Sequence, residues 1–126
     1  MIGKVCLATT PYYDKAQQRN SFKVRPVLVI GGQRNNDYTA LPISRITMQA
    51  NIDHEYDVKV DPAQYPRLGL NNVSYIRAHK QIAIHRSELT KQIGDMTADY
   101  PDLFVEIIGL VEKWNAELIN KALDTI

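Results

Sequence analysis

The sequence predicts a mainly β fold, a curled sheet or small barrel, followed by one C-terminal helix, all within a single domain spanning residues 1–126. Three observations predict it. Six short runs rich in β-branched and aromatic residues come before any long helical pattern. Brief polar connections separate them, as expected where strands are joined by turns rather than by crossover helices. Beyond Asp99 the apolar period changes from that of a strand to that of a helix.

Val5-Cys6-Leu7-Ala8 reads as the first strand, stopped at Thr9-Thr10-Pro11 because proline lacks an N–H for a ladder. Pro11 to Phe22 is polar and without period, so it reads as a loop, and loops of that length inside one domain are often functional. Val24-Arg25-Pro26-Val27-Leu28-Val29-Ile30 is the clearest strand, apolar on both faces and therefore central, with Gly31-Gly32 expected to end it. Tyr38 to Ser44 reads as a third strand, which Pro42 assigns to an edge or a bulge. Tyr56-Asp57-Val58-Lys59-Val60 alternates strictly and should be half solvated, with Asp61-Pro62 turning the chain. Val73 to Arg77 and Gln81 to His85 are two more strands, and the residues between them, 78–80, allow only a tight turn or a bend.

Asp99 and Pro101 then mark a helix start, as cap and first turn. Leu103, Ile107, Leu110, Val111, Trp114 and Leu118 recur at helical spacing, with Glu106, Glu112, Lys113 and Glu117 on the opposite side. The helix is expected over about residues 100–123, with its apolar stripe on the sheet and its acidic face in solvent.

Composition narrows the function classes. No apolar run approaches the ~20 residues of a membrane span, and Met1-Ile2-Gly3-Lys4-Val5 lacks a signal peptide's layout, so a cytoplasmic location without membrane attachment is expected. Cys6 is the only cysteine and has no partner for an internal disulfide. Net charge is +1 but unevenly spread. Residues 1–52 hold seven basic against two acidic side chains, and residues 92–126 hold two against seven. Nucleic-acid binding needs a positive face rather than a positive total, and this gradient is compatible with one without requiring it.

Nucleotide-loop, hydrolase-elbow and zinc motifs are all missing, and His54, His79 and His85 share no ligand spacing with carboxylates. No metal site and no cofactor are therefore expected. What stands out is Arg25, immediately before Pro26 at the head of the most hydrophobic strand. Proline biases its predecessor to extended backbone, so the guanidinium is well placed. A planar, doubly donating guanidinium suits a phosphate, although an arginine at a strand end also commonly sits in a salt bridge.

Lys23-Val24-Arg25-Pro26-Val27-Leu28-Val29-Ile30, followed about a dozen residues later by Leu41-Pro42-Ile43-Ser44, resembles the signature of the MazF/PemK toxin ribonucleases. Gly69-Leu70, Ser74 to Lys80, Ile82-Ala83-Ile84 and Ile93-Gly94-Asp95-Met96 continue it in order, so the resemblance covers about residues 2–115. It implies an SH3-like, CcdB/PemK-type barrel, usually a homodimer. The implied activity is metal-independent, sequence-specific cleavage of single-stranded RNA, held in check by a cognate antitoxin protein. In that chemistry the ribose 2′-hydroxyl attacks the adjacent phosphate, leaving a cyclic phosphate and a free 5′-hydroxyl. It needs a base, an acid and donors for the phosphoryl charge. A non-nucleolytic toxin of the gyrase-poisoning kind, or a regulatory binding module, is the alternative on the same barrel.

Carried over by position, the resemblance matches Arg25 and Ser44 to the family's arginine and hydroxyl. His79 stands where some members have aspartate. Histidine as a residue type can act as acid or base, so His79 is expected either to share acid–base work with Arg25 or simply to stabilise the 77–80 turn. Arg77 would hold phosphate with Ser44. Tyr13, Lys15, Arg19 and Lys23 would engage RNA from the 11–22 segment by stacking and phosphate contacts, assisted by Arg45 and Lys80. Two features depart from the family: glycine and glutamate are missing ahead of Arg25-Pro26, and the terminal helix is longer than usual.

Overall fold

β-branched runs pair with one another wherever a turn can bring them antiparallel, and here seven strands form six such pairings. A computed structural model describes residues 1–126. The strands are β1 (Lys4–Asp14), β2 (Arg19–Arg34), β3 (Asp37–Ser44), β4 (Asp57–Val60), β5 (Ser74–Arg77), β6 (Ile82–His85) and β7 (Leu89–Asp95), followed by α1 (Met96–Asp99) and α2 (Pro101–Leu123). The order across the sheet is β4-β5-β3-β2-β1-β7, with β6 also on β3. A single 3-10 turn, Arg86–Glu88, carries the chain from β6 to β7 and so joins one edge of the curled sheet to the other. The result is an antiparallel half-barrel with a C-terminal helix, the mainly β class expected from the sequence.

Several boundaries differ from the sequence expectation, each for a physical reason. The segment Pro11 to Phe22 is not a loop. β1 and β2 continue through it as a two-stranded ribbon, with Pro11 opposite Phe22 and Asp14 opposite Arg19. Past Ala8, β1 pairs with β2 only, so Pro11 costs no ladder bond on its free side. A ribbon wet on both faces has no reason to alternate, which hid it. Gly31-Gly32 does not end β2 either. The strand passes through a register shift to Arg34, and a Cβ on Gly31 would lie 2.8 Å from the Thr39 side chain. The turn falls instead at Asn35 and Asn36, with φ of 52° and 68°, the pair of positive values a tight hairpin needs and asparagine tolerates. Pro42 is in a central strand, not an edge. β6 pairs with β3 up to Ala40 and β5 begins at Ile43, so Pro42 lies at the junction between them.

β7 was missed outright, because Leu89 and Ile93 are its only apolar residues and their spacing is that of a helix. It pairs with β1 through two register shifts. At its end Asp95 caps the short α1, accepting from the Ala98 N–H at 3.2 Å, whereas α2 opens at Pro101 with no side-chain cap, so Asp99 does not cap it. Asp99 instead pairs with Arg67 at 3.4 Å.

The core forms two clusters. One unites Val5, Leu28, Leu41, Ile43 and Ile76 of the sheet with Met96 and with Leu103, Ile107 and Val111 of α2. A fully buried residue such as Ile107 contributes roughly 1.5–3 kcal/mol. The second, smaller cluster holds Ala8, Val27, Ala40 and Ile84. Beyond Trp114 the apolar stripe of α2 loses its partner, leaving Leu118, Ile119 and Leu123 more than half exposed. No helix is long and apolar enough to cross a membrane.

Candidate functional site

Pairing of β1 with β2 sets Arg25 opposite Ala8, and pairing of β3 with β5 sets Ser44 opposite Tyr75. Because β2 begins at Arg19, Arg25 lies in its interior rather than at its head, and there it meets the end of β3 and the short β5. Two adjoining clefts open there, sharing Arg25, Ser44 and Arg45 as a common wall. The first, about 360 Å³, is walled by Leu7, Pro26, Ile43, Leu70 and Ile93 and rimmed by Asn71 and Asn72. The second, about 460 Å³, contains Thr47, Asn51, Arg77 and Lys80. No Asp or Glu lines either cleft. Arg25, Arg45 and Lys80 form no ion pair with any carboxylate, so the salt-bridge reading of Arg25 does not apply here. Three cations without a counter-charge, facing one space beside Arg77, make a site that attracts an anion.

Arg77 is held differently. Its Nε donates to Asp57 Oδ1 at 3.0 Å and its Nη2 to Asp57 Oδ2 at 3.2 Å, with a further Nη2 bond to the Asn51 carbonyl at 3.3 Å. Asp57 is fully buried, so the pair fixes the guanidinium plane while its free edge lines the second cleft.

His79 lies behind Arg77 and lines neither cleft. The ring packs between Tyr56 and Trp114, with centroids 5.8 and 5.9 Å away. Its Nε2 is 3.7 Å from Asp53 and its Nδ1 3.8 Å from Asp57, and the buried Nδ1 makes no hydrogen bond. Burial acts to raise the Asp53 pKa, but it is outweighed by N–H donation from Glu55 and Tyr56 and by the nearby His79 and Arg77, so the net shift is downward. Burial, then the neighbouring Glu117, pushes the Tyr56 phenol up to about 12. The catalytic trio expected from the sequence is thus split: Arg25 and Ser44 come together, and His79 sits in an aromatic box under α2. His54 lines a separate depression beside α2, and His85 caps the Arg86–Glu88 turn.

Tyr13, Lys15, Arg19 and Lys23 belong to the ribbon rather than to the clefts. Lys23 lies over the Tyr12 ring at 4.4 Å, a cation–π contact that orders it. At about 3.3 Å per residue, Arg19 stands roughly 20 Å along the strand from Arg25. It can serve only a more distant part of a bound polymer. Leu7, Asn51, Asn71 and Asn72 were not singled out from the sequence. Gly69-Leu70 entered only through the family resemblance, and it is the tertiary fold that brings Asn71 and Asn72 to the cleft that Arg25 lines.

Cys6 is buried, and burial raises its thiol pKa, so it is not a reactive nucleophile. No group of three or more His, Cys, Asp or Glu side chains is arranged to hold a metal ion.

No curated protein matches the sequence. Among solved structures, the fold is similar to Mycobacterium tuberculosis toxin MazF-mt6, with a TM-score of 0.59 and 22% identity over 87% of this chain and 96% of that one. At that identity the likeness concerns the fold alone. The family model for PemK-like, MazF-like toxins of type II toxin–antitoxin systems matches residues 3–106, most of the chain and both clefts. An Arg-Pro step within β2 and a hydroxyl at the end of β3, brought together at one acid-free cationic cleft, are therefore those of a member: the chain belongs to the PemK-like, MazF-like toxin family of type II toxin–antitoxin systems.

Proposed function

We propose that this toxin is a metal-independent endoribonuclease that cuts single-stranded RNA at the shared wall of the two clefts. The observation that carries the reading is the convergence of Arg25, Ser44, Arg45, Arg77 and Lys80 with no carboxylate among them. RNA supplies its own nucleophile. The 2′-oxygen attacks phosphorus, its proton leaves to solvent, the bond from phosphorus to the 5′-oxygen breaks, and Arg25 protonates or screens the departing oxygen. Ser44 donates to a phosphoryl oxygen, and Arg45, Arg77 and Lys80 offset the charge that builds in the transition state. His79 has no acid–base part in this scheme. Its place is behind Arg77, where its ring packs between Tyr56 and Trp114.

The rest of the reading follows from the same surface. Lys15, Arg19, Lys23 and Tyr13 on the ribbon track RNA beyond the cut. Membership of a type II system implies an antitoxin, and the exposed Tyr13, Phe22 and Val24 give it an apolar strip to cover. Leu118, Ile119 and Leu123 offer surface to a second copy in a homodimer. The setting is the cytoplasm, where mRNA is accessible.

The test is purified, antitoxin-free protein on a long single-stranded RNA in EDTA, with product ends mapped. Discrete cuts with 5′-hydroxyl ends, slowed at least 100-fold in Arg25→Ala, are expected for loss of one charge-stabilising donor. Folded protein that leaves the RNA intact would overturn the reading in favour of a binding toxin or regulatory module.

A further inference from the structure

We infer that the cleft rimmed by Asn71 and Asn72 is a nucleobase-reading pocket, and that these two amides set the base preference at one nucleotide beside the cut. The inference rests on the ribonuclease reading above and adds the ligand of a site that reading leaves empty. The two clefts share Arg25, Ser44 and Arg45 but differ in chemistry. The second is cationic and suits backbone phosphates. The first is apolar in its walls, through Leu7, Pro26, Ile43, Leu70 and Ile93, and has uncharged amides at its rim. A flat, largely apolar ligand with hydrogen-bonding edges fits such walls, and an unpaired base joined to the phosphate at the common wall is such a ligand.

The amides are also held ready. Gly69 takes φ of 75°, and a Cβ there would lie 2.4 Å from the Ile93 carbonyl oxygen. A Cβ on Gly94 would lie 2.7 Å from the Leu68 carbonyl oxygen, so the loop is pressed against β7. The Ser74 hydroxyl donates to the Asn72 carbonyl at 3.0 Å and fixes the other end. Asn71 and Asn72 are exposed, and their side-chain amides have no partner within the chain. Each amide presents an adjacent donor and acceptor, the pattern that matches a base edge. An amide on a pinned loop discriminates better than one on a loose loop, because little order remains to be imposed on binding.

The experiment is cleavage of an RNA pool randomised around the cut, sequenced at both product ends, by wild type, Asn71→Ala, Asn72→Ala and the double variant. Both residues are exposed, so the variants are expected to fold, and circular dichroism checks this. The expected result is a roughly tenfold loss of discrimination at one position flanking the cut, with the preferences elsewhere kept. An unchanged preference at every position, or a uniform loss of rate with the preference intact, would overturn the inference while leaving the ribonuclease standing. Wild type that makes no cuts at all would overturn the ribonuclease reading, and this one with it.

Discussion

Replacing Asp57 by alanine removes the enclosed carboxylate that holds Arg77. That carboxylate is 0% exposed and accepts three hydrogen bonds: two from Arg77, at 3.0 and 3.2 Å, and one from the Asp53 N–H at 2.7 Å. Truncation strands a guanidinium that is only 17% exposed and leaves a backbone donor without its acceptor. Breaking one side of a buried ion pair costs about 3–5 kcal/mol. Arg77 keeps its bond to the Asn51 carbonyl and some contact with water, so the lower end applies, about 3 kcal/mol. For a domain of this size that is roughly a 10 °C fall in Tm. Denaturant unfolding of Asp57→Ala, Arg77→Met and the double variant at one protein concentration measures it. Each single change should be costly, and the double should cost at least about 2 kcal/mol less than the sum, because removing both partners leaves no orphan charge. Additive losses, or a single loss below about 1 kcal/mol, would refute the argument that this pair sets Arg77.

Three further outcomes follow from the same geometry. His79→Ala should leave RNA cleavage within about threefold of wild type, with an unaltered pH profile, while costing about 1–3 kcal/mol through loss of the Tyr56–Trp114 packing; a large fall in kcat at equal fold content would return His79 to the chemistry. The Lys4 ion pair, then the Thr97 hydroxyl, lowers the Asp95 carboxyl to about 2. Because the folded value lies below the unfolded one, its stabilisation is fully present above about pH 5 and fades as the pH falls towards 2. Both side chains are partly exposed, so the loss is about 1 kcal/mol; Asp95→Asn should flatten that part of the stability curve, and curves parallel to wild type between pH 5 and 2 would contradict it. Gly69→Ala should lower stability by more than about 1 kcal/mol, since a side chain is strained at φ of 75° and would meet the Ile93 carbonyl; a neutral result in thermal unfolding would mean that the loop gives way easily.

Local patterning was enough to determine the class of this protein. Val27-Leu28-Val29-Ile30 is a central strand because its side chains are buried on both faces, and Leu103, Ile107 and Val111 face the sheet because they share one side of a helix. The Arg25-Pro26 step and Ser44 were legible as well, because proline and chain order are local properties, although β2 runs on ahead of Arg25. Whatever depended on long-range pairing was not. β7 carries too few apolar residues to declare itself, and the ribbon past Ala8 has no buried face to impose a period. Arg77 and His79 are only two residues apart, yet the first faces the cleft and the second the underside of α2, a division set by Tyr56-Asp57 and Trp114 from two other parts of the chain. Asn71 and Asn72 gained a role only when the fold pinned their loop beside Arg25. Sequence determines which side chains a segment carries and what period it prefers. Which of them share a pocket is settled by strand register and by packing between segments, and those exist only in the folded chain.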